Sequence, residues 1–241
     1  MKYLSSAYWD AGSRNRNEDS LLLEVERTFR GQLIYGMVCD GIGSLEEGEK
    51  ASGYILEEIH SIMEEKVLPK LINGRSLFFA RRILLQAIFK LYKQFAEYAV
   101  YKNINLGSTF SFLIIFKKRF LIIHLGDSAI IKIKRNKSKI ITPIHHNTDG
   151  SLSHCIGNCR YQKPYVASGF IHRNEGFLIC TDGFIKRKSD YAYGLNPKDI
   201  ESEEQIEIRL KEIGKKLKKL GEKDNISAIY IVPRKDIFIW K

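Results

Sequence analysis

The sequence lacks the features that mark several special classes of protein. No run approaches the roughly 20 apolar residues of a membrane-spanning helix. Asp10 and other polar residues interrupt the first segment, MKYLSSAYWD, where a secretory signal would be apolar. There is also no internal repeat, no low-complexity linker and no hinge rich in proline and glycine. We therefore expect a single cytoplasmic domain over residues 1–241, with no transmembrane segment.

Cysteine is scarce, and its spacing excludes a disulfide scaffold. The cysteines are Cys39, Cys155, Cys159 and Cys180. They follow no disulfide-rich pattern, and two of them lie at the ends of apolar runs, where small hydrophobic residues are expected. The pattern therefore predicts reduced, buried thiols.

Acidic residues are in deficit, with 28 Asp and Glu against 39 Lys and Arg, so the formal net charge is +11. A basic field attracts nucleic acid, anionic membrane and acidic or phosphorylated protein alike, and charge alone does not choose among them. The basic residues are scattered and most aromatic residues lie within apolar runs. Because nucleic-acid modules expose their aromatic side chains for stacking, no nucleic-acid partner is expected.

The hydrophobic content of 44% is sufficient for a substantial core. Apolar runs predict strands in two blocks and again near the end of the sequence. The predicted strands are 3–11, 21–25, 32–39, 109–116, 119–124, 129–133, 139–142, 177–180 and 226–232, and a further apolar run, IFIW, closes the sequence. Residues 143–168 are polar and predict an irregular stretch.

Apolar residues at helical spacing predict three helices, over about 46–67, 76–101 and 203–220. Ser44 and Glu47 suggest a capping box for the first. The third has an apolar stripe from Ile206 to Leu220, and its lysines lie largely off that stripe as a solvated basic face, with a membrane or partner surface as the alternative. The predicted fold is α+β, with antiparallel sheets covered by helices in layers.

Four carboxylates stand where an apolar run or a turn signal ends. They are Asp40, Asp127, Asp182 and Asp224, and each precedes a small or turn-forming residue. Taken singly, each is accounted for as a turn residue. If these ends meet at one edge of a sandwich, their carboxylates and a bare backbone carbonyl supply the all-oxygen ligands that Mg²⁺ or Mn²⁺ prefers.

A further charged cluster lies near the beginning of the sequence. Arg14 precedes Glu18 and Asp19 in the segment RNRNED. Such an arginine can form a surface ion pair, which contributes little to stability. It can also grip a phosphate beside a metal centre, because the guanidinium offers a planar fork of donors.

Taken together, these motifs resemble the ordered motif set of the metal-dependent type 2C serine/threonine protein phosphatases. The matching segments are Arg14-x-x-Asn17-Glu18-Asp19, Asp40-Gly41-Ile42-Gly43, Gly107-Ser108-Thr109, Gly126-Asp127-Ser128, Thr181-Asp182-Gly183 and Asp224-Asn225. They occur in the family's order and extend from residue 14 to residue 225. Each is weak alone, whereas their joint occurrence is highly specific.

The resemblance implies a central sandwich of two antiparallel β-sheets flanked by helix pairs, with two Mn²⁺ or Mg²⁺ ions in a cleft at one end. Asp40 would bridge both ions and the Gly41 carbonyl would bind one of them. Asp182 and Asp224 would complete the shell of the other ion. The implied roles that remain are Arg14 for the substrate phosphate, Glu18 and Asp19 through metal-bound waters, and Asp127 for a third, weaker ion.

The implied reaction is hydrolysis of phosphoserine or phosphothreonine in proteins by a water that the two ions activate. No covalent intermediate is needed, and the sequence has no Cys-x5-Arg arrangement of a thiol phosphatase. The implied partners are phosphoproteins and a cognate serine/threonine kinase pathway, and a monomer is expected. The alternative is a regulatory or phosphopeptide-binding module that keeps the fold without turnover.

The sequence departs from the family pattern at four places. Ser44 replaces a glycine, Ala129 replaces an arginine, and Ile42 stands where some members carry a proton-donating histidine. The flap segment near 143–157 is also shortened, so substrate choice is left open.

Histidines and cysteines in the short loop invite a zinc site as an alternative. They are His145, His146, His154, Cys155 and Cys159. Cys155-x3-Cys159 supplies only half of the usual ligand pattern, so ordinary loop and core roles are favoured. His124 is expected to be a satisfied histidine of the core or of a strand end.

Overall fold

The computed structural model describes residues 1–43, 45, 47–135, 137–157, 160–185 and 194–234. Most of the chain in these ranges lies in strands and helices. The strands are β1 (Tyr3–Asp10), β2 (Asp19–Thr28), β3 (Gly31–Asp40), β4 (Gly107–Ser108), β5 (Phe110–Phe116), β6 (Arg119–Leu125), β7 (Ala129–Lys134), β8 (Lys137–Ile140), β9 (Ile156–Gly157), β10 (Tyr165–Phe170), β11 (Glu175–Cys180) and β12 (Ile226–Pro233). The helices are α1 (Gly48–Ile62), α2 (Leu68–Ile72), α3 (Leu77–Lys102), α4 (Asp182–Ile185) and α5 (Glu203–Lys219), with a π-helical turn at Met63–Val67 and a 3₁₀ turn at Pro197–Asp199.

The strands form two five-stranded antiparallel sheets. The first sheet has the order β1-β12-β11-β7-β8 and the second has the order β10-β6-β5-β3-β2. A small ladder of β4 and β9 stands beside them. The predicted α+β class with two antiparallel sheets is confirmed.

The two sheets pack face to face through a dry layer of branched aliphatic side chains. Val38 and Leu113 of the second sheet meet Ile130, Ile179 and Ile229 of the first sheet in this layer. Strand residues alternate between faces, so the neighbours of Val38 in β3 point the other way, where Met37 and Cys39 pack toward the helices. Each sheet is therefore buried on both faces, and this burial fixes the register of the strands.

Helices cover the outer faces of the sandwich. On the second sheet, α1 and α3 form the cover, and Ile55, Ile59 and Leu84 belong to the core beneath it. On the first sheet, α5 packs through Ile206, Leu210 and Leu217, as its apolar stripe predicts. Its lysines are exposed, while Leu220, which was predicted on the stripe, lies beyond the helix and is half exposed. No helix in the described ranges is long and apolar enough to cross a membrane.

The structure corrects two predictions of local structure. The first helix begins at Gly48, and Glu47 is its N-cap residue; the Glu47 carboxylate accepts hydrogen bonds from Lys50 and Tyr98 instead of closing a capping box. Ser44 lies outside the described residues, as does the closing IFIW run. The predicted irregular stretch 143–168 contains most of β10, which extends over Tyr165–Phe170 and pairs with β6.

The sheet registers bring the candidate site residues to one end of the sandwich, which we call the acidic end. Asp19 begins β2 and is the cross-strand partner of Asp40, which ends β3. Gly126 and Asp127 follow the end of β6, Asp182 follows the end of β11, and Asp224 precedes β12. Because the chain enters or leaves the sandwich at this end in every case, the motifs share one edge although they are distant in the sequence.

Candidate metal centre

Asp19 is the most deeply buried carboxylate of the acidic end, with 2% of its surface exposed. Its Oδ2 accepts hydrogen bonds from Ser227 Oγ at 2.6 Å and from Thr181 Oγ1 at 3.0 Å. Its Oδ1 is buried without a hydrogen-bond partner among the described residues. Burial raises the pKa of Asp19 to about 7, because the nearby carboxylates Asp182 and Asp224 add to desolvation and outweigh the two hydrogen bonds.

Asp40 is held by its backbone beside Asp19. Its N–H donates to Thr109 Oγ1 at 2.9 Å, and its carbonyl accepts from the Thr109 N–H and from Ser108 Oγ, both at 2.9 Å. This places the carboxylate among the other acids. Burial raises the pKa of Asp40 well above its usual value, and repulsion from Asp19 and Asp182 raises it further.

Gly41 and Gly43 allow the backbone to approach closely at the acidic end. A Cβ on Gly41 would lie 2.4 Å from the Gly48 carbonyl oxygen and 2.8 Å from that of Glu18. A Cβ on Gly43 would lie 2.4 Å from Glu18 Oε2. Packing against backbone therefore requires a glycine at position 41, whereas at position 43 the close atoms are the ends of flexible side chains.

Arg14 forms ion pairs with two of the predicted site residues. Its Nη2 lies 2.8 Å from Asp224 Oδ1, and its Nη1 lies 3.6 Å from Glu18 Oε2. The Arg14 side chain is 45% exposed, whereas the two carboxylates are about one-fifth exposed. The guanidinium thus lies at the solvent side of the acidic cluster, where an incoming anion can reach it.

Asn225 ties the loop that carries Arg14 and Glu18 to the start of β12. Its Oδ1 accepts from the Glu18 N–H at 2.9 Å, and its Nδ2 donates to the carbonyls of Ala11 at 2.9 Å and Arg16 at 3.0 Å. The side chain is buried, so these bonds are shielded from water. Asn225 therefore fixes residues 11–18 against a segment that lies more than 200 positions later.

Asp182 and Asp127 also lie close to the cluster, since the charge of each raises the pKa of Asp40. A Cβ on Gly183 would lie 2.1 Å from the Asn225 carbonyl oxygen, so the start of α4 is pressed against the Asp224 segment. Asp127 raises the pKa of Asp40 through its charge. The carboxylate of Asp127 contacts His146, with 2.9 Å between Oδ2 and Nε2.

As they stand, no three His, Cys, Asp or Glu side chains of the described ranges are grouped closely enough to hold a metal ion. The chemistry of the acidic end nevertheless fits a divalent cation. The donors are oxygens, the Asp19 Oδ1 is buried without a partner among the described residues, and the neighbouring carboxylates raise the pKa of both Asp19 and Asp40. A bound cation would reverse that repulsion and satisfy the buried oxygen.

The structure also shows partners that sequence reasoning missed. Thr181 and Ser227 donate to Asp19, Asn225 organises the N-terminal loop, and His146 contacts Asp127. Thr181 and Asn225 belong to motifs that the sequence already marks. Ser227 belongs to none of these motifs. It lies 208 positions from Asp19 in the sequence, so their contact could not be predicted from the sequence.

The histidines near the short loop have ordinary structural partners. His124 is buried, as predicted; its ring nitrogens lie 2.8 Å from Ser111 Oγ and 2.9 Å from the Pro143 carbonyl oxygen. Its ring stacks on His145, which stacks on His154. Cys39 and Cys180 are free, buried thiols and Cys155 is free, whereas Cys159 lies outside the described residues.

A sandwich of two antiparallel sheets with this connectivity is the fold of several bacterial serine/threonine phosphatases of solved structure. The S. agalactiae serine/threonine phosphatase is 18% identical, with 96% of this chain and 99% of that chain covered and a TM-score of 0.79. PppA of Pseudomonas aeruginosa, described as a key regulatory component of T6SS, is 19% identical, with 96% and 98% covered and a TM-score of 0.73. The catalytic domain of the phosphatase PstP, in complex with two manganese ions, is 17% identical, with 97% and 99% covered and a TM-score of 0.71.

The sequence itself carries the family assignment. The family described as Protein phosphatase 2C matches over residues 11–224. The chain therefore belongs to the Protein phosphatase 2C family, and the resemblance seen in the motifs is confirmed. No curated protein matches the sequence.

Proposed function

We propose that this chain hydrolyses phosphoserine and phosphothreonine in proteins with the help of two Mn²⁺ or Mg²⁺ ions at the acidic end. The observation that supports this most is the convergence of Asp19, Asp40 and Asp182: Asp19 and Asp40 are cross-strand partners, and the charge of Asp182 raises the pKa of both. We also propose that the chain acts as one catalytic domain and as a monomer in the cytoplasm.

The proposed ligands are residues that the fold already brings to one end. Asp40 and the Gly41 carbonyl would hold the ions together with Asp182 and Asp224. Glu18 and Asp19 would act through intervening waters, and Asp127 would help to hold a third, weaker ion. When bound, the ions supply an activated water and offset charge on the phosphoryl oxygens.

Arg14 is the residue proposed to grip the phosphate. Its guanidinium is exposed on one side and paired with Asp224 and Glu18 on the other. Phosphate oxygens accept hydrogen bonds from a guanidinium as carboxylate oxygens do. Arg14 can therefore release a carboxylate and bind a phosphate while its guanidinium stays charged. Ile42 has no proton to give, so the departing Ser or Thr oxygen takes its proton from water.

The two buried cysteines do not compete for the role of nucleophile. Burial raises the pKa of both Cys39 and Cys180, and nearby aspartates raise each further. The thiolate is the reactive form, and both side chains are closed to solvent. These two thiols therefore offer no covalent route.

The proposal is tested with purified protein, an aryl phosphate and a panel of phosphoserine, phosphothreonine and phosphotyrosine peptides. Release of phosphate should need Mn²⁺ or Mg²⁺, stop with a chelator and favour the serine and threonine peptides. Asp40→Asn should abolish it, and Glu207→Gln on the exposed face of α5 should not. Equal hydrolysis by the wild type and Asp40→Asn would show that the assignment is wrong.

A second candidate is a regulatory or phosphopeptide-binding module without turnover. It is favoured by one observation: the Arg14 guanidinium already forms ion pairs with Asp224 and Glu18. Calorimetry separates the two functions. Mn²⁺ or phosphopeptide binding without any release of phosphate would favour the module. In either case the proposed partners are phosphoproteins and a serine/threonine kinase pathway.

A further inference from the structure

The end of the sandwich opposite the acidic end carries exposed cations and phenylalanines at its turns. We call it the basic end and define it by Phe29, Arg30, Lys117, Lys118, Arg135 and Phe170. All six side chains are exposed. No role in the proposed catalysis uses them.

The sheet registers place these residues at one end. Thr28 pairs with Gly31 across the β2–β3 turn, and Phe116 pairs with Arg119 across the β5–β6 turn. Arg119 in turn pairs with Phe170, the last residue of β10. Since β3 has 10 residues and a strand rises about 3.3 Å per residue, the basic end lies roughly 30 Å from Asp40.

The cations of the basic end are not neutralised locally. Within the described residues, none of the charged groups of Arg30, Lys117, Lys118 and Arg135 lies within 4.0 Å of a carboxylate. Glu175 begins β11 at this end, but Lys132 at 2.8 Å and Lys134 at 3.5 Å already pair with it. The basic end therefore presents net positive charge to the solvent.

Turn geometry does not account for the identity of these cations. Lys117, Lys118 and Arg135 have φ values of 51°, 64° and 54°. Asn and Gly suit such left-handed positions, whereas a lysine or arginine there carries a conformational cost. The sequence thus places charge at positions where an uncharged residue would favour the turn.

Exposed aromatic side chains accompany the charge. Phe29 is 85% exposed and Phe170 is 56% exposed. The Arg119 guanidinium lies 4.9 Å from the centre of the Phe170 ring, and Phe78, which is 73% exposed, lines a recess of about 320 Å³ with both residues. Arg30 connects the turns to the helices, because its Nη1 lies 3.5 Å from the Ile72 carbonyl oxygen.

We propose that the basic end binds an anionic lipid membrane peripherally, with the acidic end turned toward the aqueous side. Protruding phenylalanines suit the boundary between headgroups and acyl chains, and cations beside them attract acidic headgroups. A nucleic acid fits less well, because Arg119 already covers a face of the Phe170 ring and stacking needs that face free. A separation of roughly 30 Å exceeds the Debye length of about 8 Å, so the acidic end is not repelled by the lipid.

The test measures cosedimentation of the full chain with vesicles of phosphatidylcholine, with and without about 30% phosphatidylglycerol. Binding is expected only with the anionic lipid, and it should weaken as salt rises. The double variant Lys117→Asn with Lys118→Gly removes two cations and relieves the left-handed strain. At roughly fivefold for each cation it should bind about 25-fold more weakly, without loss of thermal stability.

The matched control removes two cations from a helix outside the basic end. Lys215→Gln with Lys219→Gln on the exposed face of α5 changes the net charge equally and should leave vesicle binding nearly unchanged. Equal loss in both double variants would overturn the proposal, because the binding would then follow net charge alone. Absence of binding to the anionic vesicles at low salt would also overturn it.

Two further measurements separate lipid from other ligands. Phe29→Ser should weaken binding to the anionic vesicles several-fold while leaving its salt dependence unchanged, as expected if the ring enters the lipid. Duplex DNA or RNA that binds more tightly than the vesicles, and loses that affinity in the Lys117→Asn, Lys118→Gly variant, would assign the surface to nucleic acid and overturn the proposal. Vesicle binding requires no turnover, so its outcome is independent of the proposed phosphatase activity.

Discussion

The guanidinium of Arg14 lies 2.8 Å from the carboxylate of Asp224, so two motifs at opposite ends of the sequence share one ion pair. The same guanidinium lies 3.6 Å from Glu18. A residue that balances two carboxylates and remains 45% exposed is suited to release one of them for a phosphate. Four measurements follow from this arrangement and from its surroundings.

Replacing Arg14 should weaken the grip on phosphate more than the fold. Arg14→Ala removes charge-assisted hydrogen bonds of about 1.5–3 kcal/mol, which corresponds to a loss of about 10- to 100-fold in kcat/KM for phosphopeptides. Arg14→Lys should retain only part of the wild-type kcat/KM, because lysine lacks the planar fork of donors. Arg16→Ala, in the same exposed loop, is the matched control. An unchanged kcat/KM in Arg14→Ala would contradict the phosphate role.

Divalent cations should stabilise the folded chain even when no substrate is present. At about 100 times its dissociation constant, Mn²⁺ should add about 2.7 kcal/mol to the free energy of unfolding, because it binds only the folded carboxylates. Thermal unfolding with Mn²⁺ and with chelator measures the difference. Asp40→Asn should lose most of the gain. A wild-type melting temperature that is indifferent to Mn²⁺ and Mg²⁺ would contradict a metal centre at the acidic end.

Two glycine substitutions should change stability in opposite directions. A methyl group on Gly41 would lie 2.4 Å from a backbone oxygen that cannot move freely, so Gly41→Ala should lower the free energy of unfolding by about 1–3 kcal/mol. Gly53 lies within α1, where the nearest atom to an added methyl is 3.9 Å away. Gly53→Ala should therefore raise the free energy of unfolding by about 1 kcal/mol. Denaturant titration checks both, and equal effects would refute the packing argument.

His124 should make the protein sensitive to acid. Burial, together with the charge of His145, lowers the pKa of His124 to about 3. The unfolded chain therefore binds the proton that the folded chain excludes, so stability falls as pH drops from about 6.5 toward 3, by up to about 1.4 kcal/mol per pH unit.

The measurement is denaturant unfolding as a function of pH. His124→Gln should flatten the dependence in this range, since glutamine keeps a donor for the Pro143 carbonyl but does not titrate. His172→Gln is the control, because His172 is exposed. An unchanged slope in His124→Gln would assign the acid sensitivity to other groups.

Much of the fold could be predicted because burial on both faces produces long apolar strands. β5 and β12 are buried along their whole length, and their nearly continuous apolar sequences, FSFLIIF and ISAIYIVP, predict this burial. β10 could not be predicted in the same way. It is an edge strand with the sequence YVASGF, partly exposed and containing Gly169, and it is defined by its pairing with β6 more than by its own composition.

The charged residues of the candidate site could be predicted from the sequence, whereas most of their hydrogen-bond partners could not. Asp40 and Asp182 stand beside glycines at strand ends, where local chemistry marks them. The partners of Asp19 are set by tertiary structure: Ser227 lies 208 positions away and Thr181 lies 162 positions away. The misplaced capping box has a similar cause, because the Glu47 carboxylate is engaged by Tyr98 of α3.

The bonds of Asn225 have a consequence for the order in which the chain matures during synthesis. Residues 11–18 leave the ribosome long before β12, yet the side chain that fixes them belongs to the segment that leads into β12. Asp224 is added only one residue before Asn225, so an arrested nascent chain that stops short of this pair has no completed acidic end. The loop of residues 11–18 must therefore wait for more than 200 further residues, and the acidic end should be completed in a single step of biosynthesis.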